Sequence, residues 1–320
     1  MGMSVNIISD GLVEKVNLGQ SPPPADWVSR RLFTGREGAR NWLAVVGEPS
    51  YAEHAHAPFG LQSLCREAVA RVRAGTMVPL GPGDGNFDAE LVRVLKGNDP
   101  ALAYIPVDIS RDLLEAAICR IGRVASVPVG VLADMEGGGS LLREALDRFA
   151  RRPILFSLLG CTVCNLDLGE HHFFGAMREL MRSDDFFLLD IPLAGQAWTV
   201  DDDPRLDKSQ YTDHLKRFLV GGLTHWDPDF RADAGPDWFD EQIERAVSTG
   251  GAVEGTKVFT IRDRRTGQTL LSIRLYEWHA IREWFRSVGF EIAYDDCSLS
   301  SPADKLGMGV VLLSRRGGAE

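Results

Sequence analysis

Three glycines at alternate positions, Gly81, Gly83 and Gly85, are followed downstream by a carboxylate, Asp108, at the end of an apolar run. Glycines at this density let a backbone turn sharply and approach a ligand with no side chain in the way. Asp108 follows the run Ala103 to Val107, about 20 residues after the turn, the separation at which an acid reaches the hydroxyls of a bound ribose. A ribose-bearing cofactor is the chemistry these residues imply.

The elements that must position them are also readable. Met77 to Leu80 is a strand, and Asp88 caps a helix whose apolar positions are Leu91, Val92, Val94 and Leu95. Val78 to Ser110 thus runs strand, turn, helix, strand, acid. The turn reads Gly-Pro-Gly-Asp-Gly, with Asn86 where a dinucleotide-binding turn carries its third glycine, and Asp84 would repel a pyrophosphate. S-adenosylmethionine (SAM) has no phosphate and carries a cationic sulfonium and an ammonium, so it is the cofactor expected.

The alternation continues with a helix from Arg111 to Arg123, a strand from Val127 to Leu132 leading to Asp134, and a helix from Ser140 to Phe149. A strand from Ile154 to Leu159, a helix from His171 to Met181 and a strand from Phe186 to Ile191 follow. Five strands alternating with helices predict a parallel sheet covered on both faces, its ligand crevice at the C-terminal strand ends where Gly81, Asp108, Asp134, Gly160 and Asp190 converge. A hairpin, Val258 to Arg262 and Thr269 to Tyr276, a helix from Trp278 to Val288 and strands Phe290 to Tyr294 and Gly309 to Ser314 follow. The whole predicts an α/β, Rossmann-like class I SAM-dependent methyltransferase fold with a seven-stranded, mostly parallel sheet. The expected division is an N-terminal helical cap over 1–73, a SAM-binding core over 74–191, an inserted substrate lobe with the hairpin over 192–276, and a return to the core sheet over 277–320.

Composition limits the partners. The chain has 320 residues, 44% hydrophobic and 25% charged, with a net charge of −10 and no basic block, which argues against nucleic acid and for a small-molecule substrate. No apolar run approaches the ~20 residues that span a bilayer, so no membrane partner is expected. Five scattered cysteines without a signal-like start suggest reduced thiols in a cytoplasmic protein, monomer or homodimer.

Several segments together resemble the histidine-specific methyltransferase family: the Gly-Pro-Gly-Asp-Gly turn, Tyr104-Ile-Pro-Val-Asp-Ile-Ser110, the strand end Ala133-Asp134-Met135, and Leu158-Leu-Gly-Cys-Thr-Val-Cys-Asn165. The likeness is good from Val78 to Asp190 and fainter on both sides. It implies that Gly81, Gly83 and Gly85 line the methionine part of SAM, with Gly160 also at the cofactor. Asp108, with Ile109 and Ser110 beside it, would bind the ribose, and Asp134 with Met135 would bracket the adenine. It further implies that Asn165 holds the substrate's amino-acid portion and that Tyr51, in Glu48-Pro-Ser-Tyr51, closes over it. Pro79 stands where the family carries an acid before the glycines, so a contact to the SAM ammonium is either missing or supplied by Asp84. Aligning the family's second hairpin strand on Tyr276 puts Leu271 and Ile273 where it has a glutamate and a serine. Histidine is therefore not the expected acceptor, and Glu277 is a substitute substrate contact.

Other features carry less. Cys161 and Cys164 form a C-x-x-C without a second ligand pair, so a loop role outweighs zinc or redox chemistry. His54, His56, His171 and His172 lack metal-ligand spacing, and no metal is expected; His54, His56 and His171 stay as candidate bases near the acceptor, His54 first, with His171 also a candidate substrate contact. Asp201, Asp202 and Asp203 read as a solvated turn, and the aromatic residues from Trp226 to Phe239 as core of the lobe, with Tyr211 a candidate for the substrate pocket. The expected activity is methyl transfer from SAM to nitrogen or oxygen of a small, amino-acid-like or secondary-metabolite molecule. The alternatives are a SAM-consuming enzyme that releases methylthioadenosine, and a SAM-binding protein without catalysis.

Overall fold

A computed structural model of the protein describes residues 5–49, 60–137, 139–195, 198, 211–224, 238–300 and 306–317. Its strands are β1 (Ile7–Ser9), β2 (Thr76–Pro79), β3 (Ala103–Tyr104), β4 (Val107–Asp108), β5 (Gly130–Leu132), β6 (Ile154–Leu158), β7 (Phe186–Ala194), β8 (Ile243–Thr249), β9 (Lys257–Asp263), β10 (Thr269–Leu275), β11 (Phe290–Ser300) and β12 (Leu306–Arg315).

The main sheet runs β11-β12-β7-β6-β2-β3, and a second run, β1-β5-β4, joins it through a parallel bridge between Leu80 and Val107. β3 and β4 act as one strand interrupted at Ile105 and Pro106. The proline has no N–H to give, but Ile105 N donates to Met77 O at 2.9 Å, and Val131 N donates to Pro106 O at 2.9 Å. Pairing is parallel from β1 through β7, and antiparallel where β12 meets β7 and β11.

Every residue of β2 and of β6 is buried, as a sheet covered on both faces requires. Alternate residues divide between the two layers. Val78, Ile105, Phe156 and Leu189 pack with helix Glu170–Leu180 on one face, and Met77, Tyr104, Leu155 and Leu188 pack with helices Leu61–Val69 and Asn86–Asn98 on the other. The small sheet β10-β9-β8 is antiparallel. It has its own core, in which Phe259, Ile261 and Leu270 meet Phe218 of helix Asp213–Thr224 and Leu32 and Val45 of the N-terminal region.

The structure differs from the sequence reading at three places. The N-terminal region is not purely a helical cap: Ile7 to Ser9 pair with Gly130 to Leu132 and add an eighth strand to the sheet, which is therefore larger than the seven strands expected. Asn17 ties this region down, donating to Ile109 O at 2.8 Å and accepting from Arg111 N and Gly35 N, both at 3.2 Å. Asp88 is not the cap of helix Asn86–Asn98; Gly85 holds that place, and Asp88 is buried inside the first turn. Lastly, β8 was not foreseen, because Glu244, Arg245, Ser248 and Thr249 break the apolar alternation of what is an edge strand.

Candidate active site

The glycine turn sits between β2 and helix Asn86–Asn98, and Gly81, Gly83 and Gly85 all have left-handed φ values of 71°, 57° and 73°. At Gly85 a side chain would be strained, since a Cβ would lie 3.0 Å from the Cα of Ala117 and the backbone is left-handed. At Gly83 the nearest atom to such a Cβ is Trp42 Nε1, at 3.5 Å. The turn is fixed by Asp84, whose carboxylate accepts from Asn86 N at 2.9 Å and from Arg120 at 2.8 Å.

Asp108 ends β4 beneath the turn. Its buried carboxylate accepts from Ser110 N at 2.8 Å and from the amides of Gly83 and Ile109. Burial raises its pKa to about 7 against those hydrogen bonds. A carboxylate has roughly four acceptor sites, so three amides leave capacity for a donor from the cavity. Ser110 serves the scaffold: its hydroxyl caps helix Arg111–Ile121 through Leu113 N at 3.5 Å.

Past β5, Asp134 and Met135 reach the same cavity. Here the structure shows a residue that the sequence reading missed. Arg30, 6% exposed, pairs with Asp134, donates through Nε to Asp167 at 3.0 Å, and lies 3.6 Å from Glu136. Burial works against the guanidinium's charge, but the three carboxylates more than offset it and its pKa is raised. Asp167 in turn accepts from Ser29 N at 2.9 Å and Arg30 N at 3.1 Å, and Glu136 accepts from Asp167 N at 3.0 Å and Leu168 N at 2.7 Å. No spacing rule links position 30 to positions 134, 136 and 167; only the fold brings them together.

The loop after β6 is anchored from beneath by Asp190 of β7, which accepts from Gly160 N at 2.9 Å and Cys161 N at 3.1 Å. Burial again raises this carboxyl, to about 7. Cys161 adopts a left-handed φ of 60°, uncommon away from glycine, and the loop then presents Asn165.

All of this opens on a cavity of about 1290 Å³. Of the residues singled out in the sequence, Gly81, Gly83, Asp84, Asp108, Ile109, Asp134, Met135, Gly160, Asn165 and Tyr211 line it. Gly85 and Ser110 support it from behind. His171 and Glu277 are corrections. His171 is exposed on helix Glu170–Leu180 with its ring 5.4 Å from that of Trp284, and Glu277 caps helix Trp278–Ser287 by accepting from Ala280 N at 2.7 Å. Tyr51, His54, His56 and Asp201 to Asp203 lie outside the described residues, as do Trp226 and Phe230. Among the described residues no group of three or more His, Cys, Asp or Glu could hold a metal ion, and Cys65 and Cys119 are free thiols. Within that same set no helix is long and apolar enough to cross a membrane.

Comparison with known proteins identifies what the arrangement is similar to. Residues 8–244 match the family described as histidine-specific methyltransferase, SAM-dependent. No curated protein matches the sequence. Similar solved structures include a SAM-dependent methyltransferase from Clostridium acetobutylicum, 13% identical over 87% of this chain and 99% of that one, with a TM-score of 0.44. Magnesium protoporphyrin IX methyltransferase from Synechocystis, with bound S-adenosylhomocysteine (SAH), is 13% identical over 91% of this chain and 100% of its own, with a TM-score of 0.48. The 1,6-didemethyltoxoflavin-N1-methyltransferase of Burkholderia thailandensis is 11% identical over 87% of each chain, with a TM-score of 0.46.

Proposed function

The chain belongs to the family of histidine-specific, SAM-dependent methyltransferases, and from that premise we propose that it methylates a nitrogen or oxygen of a small molecule other than histidine. The observation that carries the departure is on β10: Leu271 and Ile273, which stand where the family places a glutamate and a serine, line the cavity with hydrocarbon. A histidine zwitterion would meet no hydrogen-bonding side chain at those two positions.

SAM, when bound, supplies an electrophilic methyl group on a sulfonium. The residues present fit it. Gly81 and Gly83 bare the backbone of the turn to the cavity, Asp108 has acceptor capacity for ribose hydroxyls, and Asp134 with Met135 stands at the next strand end for adenine. Asp84 lines the cavity at the turn and is assigned to the ammonium, sharing its carboxylate with Arg120. Methyl transfer is an in-line displacement, so the protein's work is to align the acceptor and exclude water. Asn165 is assigned to orient the acceptor, Tyr51 to cover it and His54 to take its proton.

The parts are read as a core over 74–191 and 277–320, a lobe over 192–276 and an N-terminal region over 1–73 that lends the core one strand. A cytoplasmic monomer or homodimer that binds no nucleic acid suits the net charge of −10. The experiment is to incubate the protein with SAM and pooled small-molecule acceptors and follow both nucleoside products by mass spectrometry. SAH that appears only with an acceptor supports the reading and names the substrate; methylthioadenosine from SAM alone overturns it.

A further inference from the structure

Beyond the glycine turn the cavity changes character. Trp42, the neighbour of Gly83, lies on helix Gly35–Val46 and meets the ring of Phe33 at 5.3 Å and that of Phe218 at 5.1 Å, while Phe33 and Phe218 are themselves 5.1 Å apart. All three rings line the cavity, together with Leu215 of helix Asp213–Thr224 and with Leu271 and Ile273 of β10. They are the rim of the small lobe's core: Phe218 is sealed within it, but Phe33, Trp42, Leu215 and Ile273 are only partly covered. An aromatic wall that begins at the turn and runs into the lobe is placed where an acceptor must lie.

The charges are distributed to match. The guanidinium groups that line the cavity, Arg30, Arg93, Arg120 and Arg123, belong to the segment before residue 35, to the two helices behind the cofactor turn or, for Arg123, to the turn just past the second of them. Arg30 is committed to buried carboxylates, Arg93 to Glu90 at 2.9 Å, and Arg120 to Asp84 at 2.8 Å. Among the described lining residues, helices Gly35–Val46 and Asp213–Thr224 and strand β10 contribute no cation. A carboxylate on the acceptor would be desolvated against these walls with no counter-charge on them.

We propose that the acceptor is a flat, ring-bearing molecule without a carboxylate that packs against Trp42, Phe33 and Phe218. Aromatic rings pair edge to face or offset, so the cluster favours a planar partner over an aliphatic chain of equal area. Thr212 and Asn165 supply polar lining for its one hydrogen-bonding edge. The proposal rests on the methyltransferase reading above and narrows its substrate class.

Binding to the SAH-loaded protein tests it, with calorimetric titration of indole as the neutral bicyclic probe and of L-histidine as the zwitterion. Indole is expected to bind at least tenfold more tightly. Leu271→Glu is expected to weaken indole at least tenfold while the affinity for SAH stays within twofold. Ile273→Ser, at a partly exposed position, carries the same comparison with a several-fold loss should the glutamate variant not fold. Histidine binding as tightly as indole, no indole binding, or indole binding indifferent to the substitutions overturns the proposal. Failure of the unmodified protein to bind SAH is a different result, and it removes the methyltransferase reading itself.

Discussion

Asp88, Asp108 and Asp190 form a set of buried carboxyls, each raised to about 7 chiefly by loss of solvent. An aspartate in the unfolded chain titrates near ~3.9, so the folded protein holds these protons more firmly than the unfolded one does. Their contribution to stability is therefore complete below about pH 4 and is lost as pH rises through about 7. Asp88 offers the clean test, because its partner is the Tyr104 hydroxyl at 2.7 Å and an amide can keep that hydrogen bond. Asp88→Asn is expected to flatten the fall in melting temperature between pH 5 and 8, a difference on the order of 1–3 kcal/mol at the alkaline end. A variant whose melting profile parallels that of the parent across this range counts against the assignment. Asp108→Asn is expected to weaken SAH about 10- to 100-fold by calorimetry, the worth of hydrogen bonds to a charged acceptor. Asp108 was legible because strand, turn and acid follow one another locally. Asp88 was misread as a cap because its role comes from a tyrosine on the neighbouring strand, which periodicity within one helix does not register.

At the scale of elements, two glycines of helix Asn86–Asn98 and its cap should respond in opposite directions. Gly97 lies in the last turn of the helix with nothing within 4 Å of a would-be Cβ, so Gly97→Ala is expected to stabilise by up to about 1 kcal/mol. Gly85 has a φ of 73° and Ala117 against it, so Gly85→Ala is expected to cost about 1–3 kcal/mol. Urea denaturation of the two variants side by side decides both. Arg30 binds elements instead of forming one, joining the segment before helix Gly35–Val46 to the end of β5 and to the loop at Asp167. Arg30→Ala leaves buried carboxylates without their cation and is expected to destabilise by about 3–5 kcal/mol, measured the same way. Most helices and strands were legible because their apolar residues repeat at the right period over enough length. β1 is three residues long and β8 is polar at an edge, so neither presents enough pattern to read. Arg30 looked like any charged residue until the fold surrounded it with acids.

For the molecule as a whole, the cavity joins the main sheet to the small lobe, so a ligand that fills it ties two cores together. SAH at about 100 times its dissociation constant should stabilise the protein by about 2.7 kcal/mol through mass action, visible as a rise in melting temperature that grows with ligand concentration. A melting temperature that stays fixed as SAH is added would show that the nucleoside does not bind the folded state. The two halves of the cavity differed in legibility for a physical reason. The cofactor half is built almost entirely from residues between 79 and 165, where each contact follows its strand in order. The acceptor half draws Phe33 and Trp42, Leu215 and Phe218, and Leu271 and Ile273 from three distant segments. Each of those reads as ordinary core in its own window, and their shared wall exists only after folding.

The placement of β12 sets an order on how the sheet can open. It is paired antiparallel on both sides, to β7 from Leu306 to Ser314 and to β11 from Leu306 to Arg315, and among the described strands β11 reaches the rest of the sheet only through it. β11 can therefore fray while β12 stays in place, but β12 cannot detach from β7 without carrying β11 away. Deuterium uptake should then resolve two openings, one that exposes the amides shared by β11 and β12 and one that exposes those shared by β12 and β7.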